Sequence, residues 1–314
     1  MRSVMTVPGV DALARLSLGA LALALSLVLL ACSNGPSFAD AQRETESWRA
    51  KHETDYRRDW ATVAGLHFLD QGSHSAGSAS TNQIVLPSSV PATLGNFVLE
   101  GESVRFEPAT GTKVWLRGQT VSAPVVLKDD GTADVDELSL GDVRMVIHRS
   151  GSRKTLRVWD PGGPLAKSFQ GFRWFEIQPA YRVIARFIPD AMPHAARVVN
   201  TFGDLDEYTT EGVVEFVLNG RTLRLRPFTT RPKRFYFVFK DASSGNETYS
   251  AARFLYSDLR DDGTTVLDFN QAYNPPCSFN PFTTCPIPLP ENRLDVKVLA
   301  GERAYPVHVP LPTE

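Results

Sequence analysis

Six prolines within one C-terminal stretch restrict what this part of the chain can fold into. Asp268–Arg293 reads DFNQAYNPPCSFNPFTTCPIPLPENR. Each proline fixes one φ angle and removes one backbone donor, so a helix or a central strand is excluded here. Loops of this length inside compact domains are usually functional or disordered. Because Phe269, Tyr273, Phe279 and Phe282 provide apolar anchors, we predict a long, ordered, irregular loop.

The N-terminus has the pattern of an export signal. Leu16–Ala31 reads LSLGALALALSLVLLA, which is too short for a bilayer span of about 20 residues and fits a signal-peptide core. The following Cys32 resembles the cysteine of a bacterial lipobox, with a slight departure at Leu30. We predict a signal peptide over 1–31 and lipidation at Cys32. The alternative is an ordinary secretory peptide cut near Ala31.

This assignment places the protein in the cell envelope, on the periplasmic or extracellular side of a membrane that it contacts through the lipid anchor. Cys277 and Cys285 are then the remaining thiols, in an oxidising compartment. A redox pair or half of a metal site are the alternatives, but redox cysteines usually lie two residues apart. We predict a structural disulfide, which stabilises a loop of this size by about 2.5 kcal/mol.

The charge balance argues against nucleic acid as a partner. The 314 residues contain 33 Lys and Arg against 35 Asp and Glu, and no basic run is present in the sequence. A nucleic-acid-binding domain normally has a basic patch or stripe. We therefore predict no nucleic-acid partner.

Short β-like runs dominate the chain after an N-terminal helix. The segment 40–60 is rich in helix formers, and Trp48, His52, Tyr56 and Trp60 form one apolar stripe along it. NFVLE, SVRFEP, KVWLRG and PVVLKD then follow at roughly ten-residue spacing, which is typical of an antiparallel sandwich or barrel.

Two hairpins stand out. Asp142–Asp160 contains two alternating arms around a Ser-Gly turn, in which Met145 and Ile147 alternate with Val146 and His148. Val213–Pro227 places Asn219-Gly220 between two alternating arms, as a type I′ turn requires. The fold is therefore predicted as mainly β, with antiparallel sandwich- or barrel-like sheets, one N-terminal helix and the long disulfide-stapled loop.

The predicted organisation has four parts. The signal peptide (1–31) precedes a tether (32–39), the helix (40–60) and a β domain (61–314), which alternatively divides into β subdomains of about 61–127 and 128–314. Gly77, Ser78 and the run from Asn82 also resemble the opening of a forkhead-associated sandwich. Ser78 stands where that family has the arginine that reads phosphothreonine, so phosphopeptide binding is not implied.

The usual catalytic signatures are missing from the sequence. It contains no G-x-S-x-G elbow, H-E-x-x-H, G-x-x-x-x-G-K or G-x-G-x-x-G after a strand. No two of the six histidines have the spacing of a zinc-binding helix, and the acidic turn at Asp258, Asp261 and Asp262 lacks the spacing of a calcium loop. We predict no metal site and no cofactor.

Polar side chains cluster at the two ends of the predicted loop, where a rigid segment with convergent polar groups would form a binding site. Asp268 and Glu291 are the candidates for a catalytic acid or base. The candidates for ligand binding are Asn270, Tyr273, Asn274, Asn292, Arg293 and, at the end of a strand, Asp160. Turn formation is the alternative role of each asparagine.

Several long segments resemble one family. LDFNQAYNPPCSFNPFTTCPIPLPENRL followed by AGERAY is similar to the C-terminal signature of domain of unknown function 1684, DUF1684. VAGLHFLDQG, GSASTNQIVLP, TLRVWDP, FQGFRWFEIQPAYRVIARF and FVFKDASSGNETYSAARFL extend the resemblance from about Trp48 to Tyr305. His67 departs from the aromatic residue often found at that position. The resemblance implies that the β segments form one unit, but implies no reaction, substrate or cofactor.

Three functions are compatible with these features. The first hypothesis is a protein that binds a small molecule or a glycan in a polar pocket beside the loop. A hydrolase that uses Asp268 or Glu291 as acid or base is the second. A structural envelope lipoprotein without a pocket is the third.

Overall fold

The computed structural model describes residues 37–306. The predicted signal peptide, the lipidation site Cys32 and most of the predicted tether lie outside these residues. No helix within 37–306 has the length and apolar character needed to cross a membrane.

The predicted N-terminal helix is present as α1, Phe38–Asp59. Ser37 and Asp40 cap its start: the Asp40 amide donates to the Ser37 hydroxyl at 3.2 Å, and that hydroxyl donates to the Asp40 carboxylate at 2.7 Å. This exchange satisfies one of the amides that the first turn leaves without a helical partner. A second, five-residue helix, α2, spans Pro164–Ser168.

The remaining regular structure is β, which confirms the predicted fold class. The strands are β1 Val63–Phe68, β2 Gly72–Gly77, β3 Ile84–Val85, β4 Gly95–Glu100, β5 Ser103–Pro108, β6 Trp115–Leu116, β7 Gln119–Thr120, β8 Val125–Leu127, β9 Glu137–Leu140, β10 Val143–Ser150, β11 Arg153–Trp159, β12 Arg182–Val199, β13 Leu205–Leu218, β14 Arg221–Leu225, β15 Phe228–Arg231, β16 Arg234–Phe239, β17 Arg253–Asp258 and β18 Thr264–Asp268.

Two sheets enclose the first core. One has the order β1-β11-β10-β9-β6-β7, and the other has the order β3-β2-β4-β5-β8. Met145, Ile147 and Leu156 of the first sheet pack with Phe97 and Phe106 of the second. Because alternate residues of a strand point to opposite faces, the same pairing directs His148 and Arg157 to the outer face of the first sheet. The first sheet contains strands from both sides of residue 127.

Two further sheets enclose the second core. Their orders are β14-β13-β12-β18 and β15-β16-β17. Val214, Phe216 and Leu267 of the four-stranded sheet pack with Phe235 and Phe237 of the three-stranded sheet. The other face of the three-stranded sheet is buried as well, since Tyr236, Val238 and Phe254 pack against Cys285 of the loop.

Both predicted hairpins are confirmed. β10 and β11 pair antiparallel, with Val146 opposite Arg157 and His148 opposite Thr155. β13 and β14 pair around Asn219 and Gly220, whose φ angles are 52° and 75°. Two successive positive φ angles are what a type I′ turn needs, and Asn and Gly tolerate them best.

The Pro-rich stretch is an ordered irregular loop, as predicted. It contains three short 3-10 turns at Phe269–Gln271, Pro276–Ser278 and Pro290–Asn292. The predicted disulfide is not confirmed. Cys277 and Cys285 are free thiols, 3.1 Å apart, and the Cys277 amide points at the Cys285 sulfur at 3.4 Å.

Candidate functional site

Three asparagines of the loop bind backbone groups of other elements. Asn292 accepts from the Arg226 amide at 2.7 Å and donates to the carbonyls of Arg226 and Val238. Asn270 makes a reciprocal pair with the backbone of Gln178, at 3.0 Å in both directions. Asn280 donates to two carbonyl oxygens, those of Trp60 and Val63. Each of these three side chains is buried, and its amide replaces strand-type pairing where the loop meets the sheets.

Asp268 belongs to the same scaffold. Its Oδ1 accepts from the amide and the side chain of Asn270, at 3.1 and 2.9 Å. Its Oδ2 accepts from the Thr45 hydroxyl at 3.2 Å and lies 3.4 Å from Arg182 Nε. Both carboxylate oxygens are therefore engaged, which leaves little capacity for proton transfer to a ligand.

Asn274 pairs with a carboxylate that the sequence analysis missed. The amide and the side chain of Asn274 both donate to Glu302, at 2.8 Å, and Glu302 is fully buried. Burial raises the pKa of Glu302 to about 8, against the opposing effect of these hydrogen bonds and of the Arg253 charge. Asn274 Oδ1 has no hydrogen-bond partner within residues 37–306.

The other predicted residues lie in separate surroundings. Glu291 and Arg293 are exposed, and Glu291 lies 3.3 Å from Arg226 Nε. Tyr273 packs among aromatic rings, with its centroid 4.4 Å from that of His52. Asp160 lies in another part of the molecule, where it accepts from Ser89 and lines a cavity of 470 Å³. Tyr273 and Asp160 thus have different neighbours from each other and from Glu291, and the roles of all the predicted candidates as site residues remain predictions.

A second cavity, of 510 Å³, lies where the loop crosses the outer face of the first sheet. Thr284 is the loop residue that lines it. The other lining residues are Trp60, His148, Arg149, Gly151, Arg157, Leu205, Asp206, Glu207 and Tyr208. The hairpin β10–β11, the start of β13 and the loop thus all contribute to the lining.

A chain of three hydrogen-bonding groups reaches this cavity. His148 Nδ1 lies 2.5 Å from Asp130 Oδ2, and His148 Nε2 lies 3.0 Å from the Thr284 hydroxyl. The other oxygen of Asp130 accepts from the Arg149 amide at 3.0 Å. With its Nδ1–H donated to the carboxylate, the imidazole presents an unprotonated Nε2 that accepts from the Thr284 O–H.

The charge state of the histidine follows from its surroundings. Burial lowers the pKa of His148 below 6.5, Asp130 opposes this effect and Arg157 reinforces it. Burial raises the pKa of Asp130, but the hydrogen bonds from His148 and from the Arg149 amide prevail and hold it below 3.8. At neutral pH the pair is therefore a neutral imidazole beside a carboxylate.

Arg157 is the most unusual charged residue of the cavity. Its side chain is 7% exposed, and one terminal nitrogen lies 3.4 Å from the Thr284 hydroxyl. Within residues 37–306 its Nε has no hydrogen-bond partner, and its Cζ lies 5.9 Å from the ring centroids of Trp60 and Trp159. Burial lowers the pKa of Arg157 to about 10 although the Asp130 charge opposes this effect, so it stays charged at neutral pH. A buried cation with an unbonded N–H is costly, and such groups are usually paired or bind a ligand.

The local fold explains this arrangement. The alternation of the hairpin places Ile147 and Leu156 in the core, so their neighbours His148 and Arg157 face outward. Thr284 is fixed from both sides: Thr201 donates to the Thr283 carbonyl at 3.2 Å and accepts from the Cys285 amide at 3.2 Å. The polar residues on the outer face of the hairpin were visible in the sequence. The contact of these residues with Thr284 could not be predicted from the sequence.

Metal binding has no support in the described part of the chain. Within residues 37–306, no group of three or more His, Cys, Asp or Glu side chains is arranged to hold a metal ion.

Comparison with known proteins supports the family resemblance over part of the chain. Residues 167–303 match the model of a family described as "Protein of unknown function (DUF1684)". No curated protein matches the chain.

Two solved structures are similar to parts of it. An uncharacterized protein of Haloarcula marismortui, solved by solution NMR, is 29% identical over 46% of this chain and 82% of that chain, with a TM-score of 0.38. EmbR of Mycobacterium tuberculosis, in complex with a low affinity phosphopeptide, is 17% identical over 35% of this chain and 29% of that chain, with a TM-score of 0.21. At these TM-scores, neither similarity carries a functional conclusion.

Proposed function

We propose that the protein binds a small anionic molecule, one that bears a carboxylate, in the 510 Å³ cavity beside the loop. The observation that carries this proposal is Arg157. Its guanidinium is buried at the cavity wall and has an unpartnered Nε within the described part of the chain. A planar guanidinium offers paired donors that match a carboxylate.

The remaining lining groups favour a molecule with polar and apolar parts. Asp206 and Glu207 also line the cavity, but both have partners: Asp206 accepts from the Gly151 amide and from Asn200, and Glu207 lies 3.7 Å from Arg197. Trp60 and Tyr208 add aromatic surface to the lining. An acidic monosaccharide or a short carboxylic acid has this combination of groups, and the volume lies within the usual range of ligand pockets.

Calorimetric titration of the full-length protein with acetate, succinate and galacturonate, and with glucose as the neutral control, tests this proposal. At least one of the three acids is expected to bind and glucose is not. The variant R157M is expected to lose at least tenfold in affinity, whereas R293M, which removes an exposed arginine of the loop, is expected to bind as the wild type does. Equal affinity of R157M and wild type, or no binding of any acid, would contradict the proposal.

We further propose that the chain is a lipoprotein, anchored through Cys32 to a membrane of the cell envelope. The support is the apolar run Leu16–Ala31 and the lipobox-like sequence around Cys32. Metabolic labelling with a palmitate analogue is expected to mark the wild type and leave C32A unmarked. An unmarked wild type, or equal label in both proteins, would refute the anchor.

A further inference from the structure

The cavity contains more than an anion-binding arginine. A hydroxyl and an imidazole of its lining and a carboxylate behind them are hydrogen-bonded in series, from Thr284 through His148 to Asp130, at 3.0 and 2.5 Å. This is the order of groups by which a neutral hydroxyl becomes a nucleophile: the base takes its proton, and the carboxylate holds the base in the required tautomer. Such sets occur on unrelated folds and are recognised by geometry and roles.

We infer that Thr284, His148 and Asp130 cleave small carboxylic esters, with Thr284 as the nucleophile, His148 as the base and Asp130 as the positioning residue. This inference rests on the proposed function, because the carboxylate that Arg157 is proposed to bind is the acid product of the same ester.

Access to the reacting groups supports the assignment. Thr284 and His148 both line the cavity, whereas Asp130 does not and acts from behind the imidazole. The Thr284 hydroxyl lies 3.4 Å from Arg157, whose Nε has no partner within residues 37–306. Donors at this place can stabilise the negative oxygen that develops when the ester carbonyl is attacked.

The position of the nucleophile is fixed before any ligand binds. The backbone on both sides of Thr284 is bonded to Thr201, and the Cys285 carbonyl also accepts from the Thr201 amide at 2.9 Å. Thr283 is tied in addition to the Asn280 carbonyl at 2.9 Å. A nucleophile on a loop needs such support, since small displacements of reacting groups reduce rates strongly.

The reaction has two balanced steps. In the first, the Thr284 oxygen bonds to the ester carbonyl carbon and its proton passes to His148 Nε2. The C–O bond to the alcohol then breaks, and the alcohol leaves with that proton. In the second step, water gives a proton to His148 and its oxygen bonds to the acyl carbon. The bond to Thr284 breaks, Thr284 recovers the proton, and the carboxylic acid is released beside Arg157.

The hydrolysis should depend on pH through the imidazole. The charged groups that act on His148 are Asp130, Asp204 and Asp206, which favour its protonated form, and Arg157, which opposes it. Because burial prevails and the pKa lies below 6.5, the unprotonated base is present at neutral pH. The rate is expected to be level above about pH 6.5 and to fall as the pH is lowered through the pKa of His148.

The decisive probes are diisopropyl fluorophosphate and 4-nitrophenyl acetate, applied to the full-length protein. With the first, the Thr284 oxygen bonds to phosphorus, fluoride leaves, and the proton remains on His148. One adduct per chain is expected by intact mass, located at Thr284 by peptide mapping. With the second, release of 4-nitrophenol is expected to fall at least 100-fold in T284V and H148Q.

Matched variants separate catalysis from structure. T284S keeps the hydroxyl and is expected to retain activity, whereas T54V and H74Q alter a threonine and a histidine elsewhere and are expected to behave as the wild type does. D130N should shift the pH profile of hydrolysis, an effect that a purely structural role would not produce. Acetate binding to T284V is measured in parallel as a test of folding.

The outcomes are distinct. Loss of adduct and turnover in T284V, with acetate binding retained, supports both proposals. A wild type that binds acetate but gives neither adduct nor turnover overturns the esterase inference and leaves the binding proposal standing. Turnover that T284V retains also overturns the inference. Turnover that depends on Thr284, without acid binding in the wild type, supports the esterase and refutes the binding proposal.

Discussion

The asparagine anchors of the loop and the cavity at Thr284 are neighbouring polar regions with opposite hydrogen-bonding states. Asn270 and Asn292 are buried and bonded to backbone groups on several sides. In the cavity, Arg157 is equally buried but has an unpartnered Nε within residues 37–306. Buried polar groups are normally satisfied, so those that are satisfied indicate architecture, while an exception needs an explanation. In these two regions, the completeness of hydrogen bonding separates the scaffold residues Asn270 and Asn292 from the candidate site residue Arg157.

Removal of an anchor should produce the largest effect on stability. N292A leaves the Arg226 amide and the carbonyls of Arg226 and Val238 without their partner, and each unsatisfied buried group costs about 1–3 kcal/mol. We expect a loss of about 4 kcal/mol in the free energy of unfolding, measured with urea. The adjacent E291A removes one exposed carboxylate and is expected to change it by less than about 0.5 kcal/mol. Similar losses in the free energy of unfolding for N292A and E291A would contradict the role of Asn292 as an anchor.

Oxidation of the two thiols should give the next largest effect. Cys277 and Cys285 lie 3.1 Å apart, and a disulfide between them would close a short loop. On the chain-entropy model we expect the oxidised protein to be more stable by up to about 2.5 kcal/mol. The disulfide is detected by the intact mass of the alkylated protein, measured before and after mild oxidation. The double variant C277S/C285S, which cannot form the bond, is the control. Two alkylated thiols after oxidation would refute the predicted disulfide.

Acid should destabilise the folded protein through His52. Burial among aromatic rings lowers the pKa of His52 to about 4, and its Nε2 has no partner within residues 37–306. The unfolded chain therefore binds a proton that the folded chain does not, and stability is lost as the pH falls from 6.5 towards 4. We expect a loss on the order of 2 kcal/mol. H52F should reduce this dependence of stability on pH and leave the cavity unchanged. Urea unfolding of the wild type and of H52F at pH 7 and at pH 4.5 measures the difference.

The smallest expected effect on stability comes from the cavity. R157M removes a buried cation whose Nε has no partner within the described residues, so the desolvation cost disappears, while the attraction to Asp130 and the contacts with the Trp60 and Trp159 rings are lost. We expect the free energy of unfolding to change by no more than about 1 kcal/mol, in either direction. Urea unfolding at pH 7, beside N292A, gives the measurement. A loss as large as that of N292A would make Arg157 part of the scaffold.

The fold class followed from local pattern. Alternation and turn residues predicted the hairpins at 142–160 and 213–227, and the proline content predicted the irregular loop, because these signals depend on neighbours in sequence. Which sheets form could not be predicted in the same way. β1 pairs with β11, and β12 pairs with β18, across long intervals of chain. Such pairings depend on packing, which local composition does not encode.

The candidate site was harder to predict from the sequence than the fold class was, for the same reason. His148 and Thr284 are separated by 136 positions, and Arg157 and Thr284 by 127. The sequence did place His148 on the face of a hairpin opposite to that of Met145 and Ile147. The asparagines at the loop ends bond to backbone groups in the structure, and their part in ligand binding stays a prediction, because asparagine is as frequent in scaffolding turns as in binding sites. The desolvated Glu302 was also missed, since burial of a carboxylate leaves no local pattern.

The helix α1 imposes an order on the biogenesis of the protein. Thr45, Arg49 and Tyr56 bond to Asp268, Asn270 and Pro276, which follow them by more than 200 positions. Chains are synthesised from the N-terminus, so α1 leaves the ribosome first and its partners leave it nearly last. The aromatic stripe of α1 has earlier partners, since Trp48, His52 and Tyr56 contact Phe172 and Trp174. A nascent chain that stalls before residue 268 would therefore contain these aromatic partners but lack the hydrogen bonds that tie α1 to the loop.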